Sequence, residues 1–336
     1  MRRGRPILTL ALIGAACQAQ AGELRRPALQ RDLAAITRGF DGPVGACAQD
    51  GSGRPPVCVE GDRRFALQSV MKLLVAIAVL DGVDHGRLGL RDPVVVHRRD
   101  LGLASEPIAR LVTAAGYRTT IGDLARRAIV DSDSAAGDVL LTRIGGPAAV
   151  QAVLDRKGIT GVRIDRSEHQ LQTESDGLTW RPAYANPDVR HKALAKVTRA
   201  QRAAAFRASM TDVRDTSTPR GMAELLNALA GGRLLSPAST AWLLNVMGQT
   251  KTFPDRLKAG LSPGWTIGHK TGASGASDGV TEATNDVGVL TSPRGERVSV
   301  AVFIGPSRAA SKDRAALMAR IARATIADYS PVALRR

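Results

Sequence analysis

Residues 65–82 read FALQSVMKLLVAIAVLDG, and the fold turns on how this stretch is read. From Met71 to Leu80 every residue but Lys72 is apolar, without a polar face. A segment apolar on all sides, rich in Leu, Ala, Val and Met, is expected to be a helix buried in the centre of a sizeable domain. The pattern predicts helix over 65–80, with Gly82 as a stop. Ser69-Val70-Met71-Lys72 stands at its front. A spacing of three places Ser69 and Lys72 on one helix face, with Cβ atoms about 5–6 Å apart. A serine hydroxyl is a weak nucleophile. A neighbouring amine can take its proton, and burial assists by lowering the amine's pKa. Taken alone, SxxK arises by chance in many chains, and a capping serine beside a snorkelling lysine explains it equally well.

Residues 25–39 have helical apolar spacing, and 43–48 and 56–60 read as two strands of a hairpin. Helical patches follow at 121–130, 135–144, 148–157, 222–229 and 236–247. Thr218 before Pro219 is a helix start, an N-cap followed by proline at the first helical position. Strand character returns at 265–269, 286–291 and 297–304, the last two joined around Pro293-Arg294-Gly295, and 309–328 closes as a helix. Strands at both ends and helices between them imply one sheet assembled from both halves of the chain, with a helical lobe inserted.

Composition narrows the class. The 336 residues are 44% hydrophobic, too apolar for a disordered chain, and 34 Gly with 17 Pro in no repeat exclude a collagen-like one. Three cysteines make no CxxC, and His85, His97, His169, His191 and His269 lack zinc-ligand spacing, so neither a metal nor another cofactor is expected. Residues 1–21 combine a basic start (Arg2, Arg3, Arg5), a largely apolar run at 7–16 and the small-residue site Ala19-Gln20-Ala21. This is the pattern of a cleaved export signal, too short to span a bilayer. Lipidation at Cys17 is the rival reading. Removing the three arginines leaves 44 Lys and Arg against 31 Asp and Glu, a net +13. The bases are scattered and carry no nucleic-acid motif, so a soluble basic monomer in the periplasm is expected, without a membrane span. Cys47 and Cys58 flank the turn Asp50-Gly51-Ser52-Gly53 and are placed to face each other; the pattern leaves the register, and so a disulfide, open.

Two further motifs decide the chemistry. Ser132-Asp133-Ser134 occupies a gap between predicted helices, and Lys270-Thr271-Gly272 ends a predicted strand. The ordered set SxxK, SD(N), KTG, with 63 residues from Ser69 to Ser132, resembles that of class A serine β-lactamases and penicillin-binding proteins. Arg166-Ser167-Glu168-His169-Gln170-Leu171-Gln172 is similar to the family's RxExxLN segment, 36 residues beyond Ser132 at Glu168. Asp215-Thr216-Ser217-Thr218-Pro219 resembles the segment that closes the family's omega loop, and Gly264-Trp265 ahead of Lys270-Thr271-Gly272-Ala273 also matches. The resemblance, to a class A β-lactamase, covers residue 30 onward.

It implies an α/β fold with a five-stranded antiparallel sheet flanked by helices (22–86 and 251–336) and an inserted all-helical lobe (87–250). It further implies that Ser69 attacks the lactam carbonyl, Lys72 helps activate it, and Ser132 passes a proton to the leaving nitrogen beside Lys270. Glu168 would deprotonate the deacylating water; whether it or Lys72 serves acylation is disputed for the family. The N–H groups of Ser69 and Ala273 would form an oxyanion hole, about 3–4 kcal/mol per donor. Lys270 and Thr271 of the Lys270-Thr271-Gly272 strand would bind the substrate carboxylate, with Arg256 as a candidate helper. Ser134, Gln172 and Ser274 would face the substrate.

Three departures stand out. Ser134 replaces an asparagine that grips the substrate's acylamino group, and Gln172 replaces the asparagine that helps hold the water. Glu168 to Asp215 spans 47 residues, about 30 more than usual, with a basic, Ala-rich stretch at 191–210 that reads as a helix. The insertion reads either as a surface elaboration or as a remodelled active-site rim. The expected activity is hydrolysis of penicillins, extending to cephalosporins. A penicillin-binding D-alanyl-D-alanine peptidase and a non-catalytic lactamase-fold binding module are the alternatives.

Overall fold

The structure, a computed structural model, describes residues 23–102 and 104–330. The export signal read at 1–21, with Cys17, lies outside the described residues.

Helix α1 (Arg26–Thr37) carries Pro27 in its first turn and buries Leu29 and Leu33. The chain then forms the hairpin β1 (Val44–Asp50) and β2 (Val57–Val59), and returns much later for β3 (Thr266–Ala273), β4 (Thr284–Thr291) and β5 (Arg297–Ile304). These five strands lie in the order β2-β1-β5-β4-β3, each neighbouring pair antiparallel. The hairpin register sets Cys47 opposite Cys58, and the two are joined as a disulfide with Cα atoms 4.2 Å apart. Side chains alternate across the sheet as the pleat requires. Val298, Val300, Val302 and Ile304 meet the core that contains Leu29 and Leu33, whereas Ala301 and Phe303 meet the opposite core. The sheet is therefore buried on both faces.

The central helix, α2 (Met71–Asp84), has every residue from Met71 to Gly82 buried. It differs from the prediction at both ends. Phe65 and Ala66 are extended and pair with Ser217 and Thr216, Gln68 has φ +47°, and Gln68–Val70 forms a single 3₁₀ turn. A left-handed residue cannot continue a right-handed helix, so the regular helix starts two residues after Ser69. Gly82 does not stop the helix. A Cβ there would come 3.0 Å from Leu88 Cδ1, so the glycine makes room for Leu88, and the chain turns instead at Gly86 (φ +68°).

Helices α3 (Ile121–Val130), α4 (Ser134–Arg143) and α5 (Pro147–Arg156) pack around α2. They are followed by α6 (Glu168–Ser175), α7 (Pro187–Leu194) and α8 (Arg199–Ser209). The single helix read at 191–210 is thus two, because Thr198 caps a new one in a capping box with Gln201. Helix α9 (Pro219–Ala230) packs on β1, β4 and β5, and α10 (Pro237–Gly248) on β3. Although both fall within 87–250, they lie against the sheet, and α11 (Ser311–Asp328) joins α1 on its other face. No described helix is long and apolar enough to cross a membrane.

Candidate active site

Ser69 sits in the turn that leads into α2, and Lys72 in the helix's first turn. Lys72 is 1% exposed, and an amine that deep must be paired. Its Nζ donates to Ser69 Oγ at 2.7 Å and to Ser134 Oγ at 3.1 Å, and lies 2.8 Å from Glu168 Oε1. The Lys72 ammonium on α2 thus joins the Ser69 turn to α4 and α6.

The second hydroxyl is held by the turn between α3 and α4. Ser132 there has φ +56°, while Asp133 caps α4 by accepting the Ala136 N–H at 2.9 Å and also accepts that of Ile108 at 2.6 Å. Lys270 on β3 donates to Ser132 Oγ at 2.9 Å and to the Thr271 carbonyl at 2.8 Å. Burial, reinforced by the charge of Lys72, pushes the Lys270 ammonium well below the usual lysine range, against the pull of Glu168 and Asp286. Thr271 Oγ1 is 2.6 Å from Thr252 Oγ1. Gly272 brings β3 against the Ser69 turn, where a Cβ would be 2.7 Å from the Leu67 carbonyl oxygen.

Glu168 opens α6. Ser167 and Gln170 form a capping box, and Asp138 from α4 accepts the N–H groups of Glu168 (2.8 Å) and His169 (2.9 Å) together with His169 Nδ1 (2.7 Å). The carboxylate is 5% exposed. Burial opposes its charge, but Lys72, then Gln172 and Lys270, outweigh burial and hold it below the usual glutamate range. Gln172 donates to Oε2 at 3.0 Å and accepts the Ala104 N–H at 2.9 Å. Oε1 is 2.8 Å from Lys72 Nζ, and a carboxylate oxygen with two lone pairs keeps a further acceptor position beside it.

These groups open onto a cleft of about 580 Å³, whose walls include Ser69, Ser134, Glu168, Gln172, Ala273 and Ser274. Lys72, Ser132, Lys270, Thr271 and Gly272 are tied to that wall from behind by the contacts above. Arg256 is the exception. It is 3% exposed, donates through Nη1 to the Gly272 and Asn285 carbonyls at 2.9 Å each, and stacks 3.7 Å from the Phe253 ring centroid. Burial lowers its pKa to about 10. Its guanidinium is taken up by main-chain carbonyls, so it braces β3 and β4 in place of the expected contact with the substrate carboxylate.

The insertion is closed and docked. Arg166 Nε donates to Asp215 Oδ2 at 2.6 Å, which joins the two ends of the enlarged loop. Arg190 of α7 is 7% exposed and binds Thr173 Oγ1 at 3.2 Å, Asp176 Oδ2 at 2.7 Å and the Gly102 carbonyl. Arg190, Arg202 and Phe206 line the cleft, so the insertion is an active-site rim and not a remote surface elaboration.

Several positioning residues escaped the sequence. Asp138 looks like any acid in an Ala-rich helix, although its place four residues after Ser134 is a hint. Asn285 donates to the Ala66 and Leu67 carbonyls at 2.8 and 3.0 Å, pinning the Ser69 turn to β4, and no local pattern marks it. Among the described residues no group of His, Cys, Asp and Glu could hold a metal ion.

A model of the β-lactamase enzyme family matches residues 28–329. The extended-spectrum β-lactamase PER-1 of Pseudomonas aeruginosa is 29% identical over 297 residues, 88% of this chain and 85% of that relative. β-Lactamase VEB-1 of the same organism is 28% identical over 284 residues, 84% of each. Among solved structures, an ancestral (GNCA) class A β-lactamase superposes with a TM-score of 0.70 at 30% identity, covering 89% of this chain and 99% of its own. A β-lactamase from Chitinophaga pinensis DSM 2588 gives 0.70 at 27% identity, covering 89% and 97%.

Proposed function

The chain belongs to the β-lactamase enzyme family, in class A, and from that premise we propose that it hydrolyses penicillins through a Ser69 acyl-enzyme resolved by water activated at Glu168. Ser69 Oγ attacks the lactam carbonyl while its proton passes to the Lys72–Glu168 pair. Negative charge gathers on the carbonyl oxygen, opposite the N–H groups of Ser69 and Ala273. The C–N bond breaks as Ser132 delivers its proton to the nitrogen, the neighbouring Lys270 ammonium favouring the transient alkoxide, and the proton taken up by the Lys72–Glu168 pair then returns to Ser132, which leaves Glu168 ionised. Thr271 and Lys270 hold the substrate carboxylate. Glu168 then takes a proton from water bound between its open acceptor and Gln172, and the hydroxide cleaves the ester, returning the proton to Ser69.

The carrying observation is the single ammonium of Lys72 within 2.7–3.1 Å of Ser69, Ser134 and Glu168. A carboxylate paired with the same ammonium that holds the nucleophile is what a deacylating enzyme needs and what the peptidase reading lacks. Ser134, with its hydroxyl already engaged by Lys72, grips the acylamino group less firmly than an asparagine. The mature protein is proposed to start after Ala21 and to act in the periplasm as a monomer. Steady-state hydrolysis of benzylpenicillin tests the reading: turnover well past one equivalent, abolished by Ser69→Ala, is expected. A burst that ends at one equivalent, or turnover that survives Ser69→Ala, would overturn it.

A further inference from the structure

The insertion has a cationic, aromatic inner face, and its position along the cleft points to what it recognises. Helix α6 runs from Glu168 at the reacting end to Ser175 and Asp176. At 1.5 Å per residue, Asp176 lies roughly 12 Å beyond Glu168. The wall also includes Arg190, Arg202 and Phe206 of the insertion and residues 274–277 after β3. Helix α8 reaches the segment after β3 through Arg199, whose Nη2 is 3.2 Å from Asp278 Oδ1. The insertion is therefore tied to α6 through Arg190 and to the segment after β3 through Arg199.

Charges there do not balance. Arg190 is buried and its guanidinium is consumed by Asp176, Thr173 and the Gly102 carbonyl. Arg202 is exposed and is oriented by one main-chain bond, Nη2 to the Leu194 carbonyl at 2.7 Å. Among the described residues it makes no ion pair. The wall holds three acids: Glu168 is paired with Lys72, Asp176 with Arg190, and Glu282 is buried and accepts from Gln68 at 3.3 Å, with burial pushing its carboxyl up. Asp176 feels the charge of Arg202 as well as that of Arg190, so one carboxylate is shared by two guanidiniums and the exposed Arg202 keeps a surplus of positive charge at the cleft, with Phe206 one turn away on the same helix.

We propose that Arg202 and Phe206 form a subsite for a negatively charged acyl side chain, so that this enzyme favours β-lactams carrying a second carboxylate on that side chain. The inference rests on the catalytic reading above. Arg190 is the buried strut that positions the subsite, and Arg202 is the recognising cation. The charge acts on substrate selection and leaves the Ser69 chemistry unaltered.

The test compares benzylpenicillin with carbenicillin, which differs by one carboxylate on the acyl side chain, for the wild type, Arg202→Gln and Arg202→Glu. The kcat/KM for carbenicillin is expected to fall about fivefold in Arg202→Gln, the size of one partly screened ion pair, and further in Arg202→Glu. It is also expected to fall with added salt, while benzylpenicillin stays unchanged in each variant. Equal effects on both substrates, or none, would overturn the subsite. Calorimetric binding of both penicillins to Ser69→Ala, with and without Arg202→Gln, reads the subsite without turnover. A carbenicillin preference lost with Arg202 upholds it even if the catalytic reading fails, and no preference sinks it even if that reading stands.

Discussion

Replacing Arg166 by alanine tests how the enlarged loop is held. Arg166 Nε is 2.6 Å from Asp215 Oδ2, and Nη1 is 2.7 Å from Glu174 and 3.2 Å from Asp212. Asp215 is 2% exposed, and its Oδ1 also accepts the N–H groups of Asp165 (2.7 Å) and Arg166 (3.0 Å). Burial raises the Asp215 carboxyl despite its partner, whereas the Arg166 guanidinium, opposed by burial, is held more firmly protonated by Asp215 and Glu174. Arg166→Ala strands a buried carboxylate, at about 3–5 kcal/mol. Asp215→Asn keeps an acceptor for both amides and leaves Arg166 with Glu174 and Asp212, at about 1–2 kcal/mol. At roughly 2 °C per kcal/mol for a chain of this size, Arg166→Ala should lower Tm by about 6–10 °C in a thermal melt. Glu168 is two residues away, so stopped-flow hydrolysis of benzylpenicillin should also show a burst as deacylation slows about tenfold or more. An unchanged Tm together with undiminished kcat would refute the reasoning.

Three other outcomes follow from the same contacts. Glu168 is held below the usual glutamate range and Lys270 below the usual lysine range. The kcat/KM profile should therefore hold its plateau to an acid limb below the usual glutamate range and fall on an alkaline limb below the usual lysine range, as Glu168 gains and Lys270 loses a proton. Burial disfavours the His169 imidazolium, but Asp138 outweighs it and raises the pKa. The pair's stabilisation should be fully present below about pH 6.5 and lost as pH climbs through the raised folded value, so the Tm gap to His169→Gln should close on the alkaline side. Replacing Cys47 and Cys58 together by alanine should cost about 2–3 kcal/mol, since the bridge spans a sequence separation of 11, and should leave kcat unchanged in the same assay.

Much of this was legible because buried helices and strands write their period into sequence. The run at 71–80 could only be a central helix, and the late strand at 297–304 is apolar at nearly every position, as a sheet covered on both faces requires. Ser69, Lys72, Ser132, Glu168 and Lys270 sit in short motifs at fixed offsets, which survive in a linear reading. What failed depends on distant partners. Gln68 takes φ +47° while its neighbours 65–66 pair with a strand 150 residues later, which no window around 68 contains. Arg256 has the sequence position of a carboxylate binder, yet its guanidinium meets main-chain carbonyls of β3 and β4 first. Arg190 lies one residue ahead of the basic stretch read at 191–210, and only its contacts with Gly102, Thr173 and Asp176 reveal a strut.

The central claim is that Glu168 drives deacylation of a Ser69 ester. Mixing Glu168→Gln with benzylpenicillin and recording intact mass tests it most directly. A stable adduct of one penicillin per chain, located on Ser69 by peptide mapping and absent from the wild type at the end of reaction, is the predicted result. Unimpaired turnover by Glu168→Gln with no accumulating adduct would contradict it.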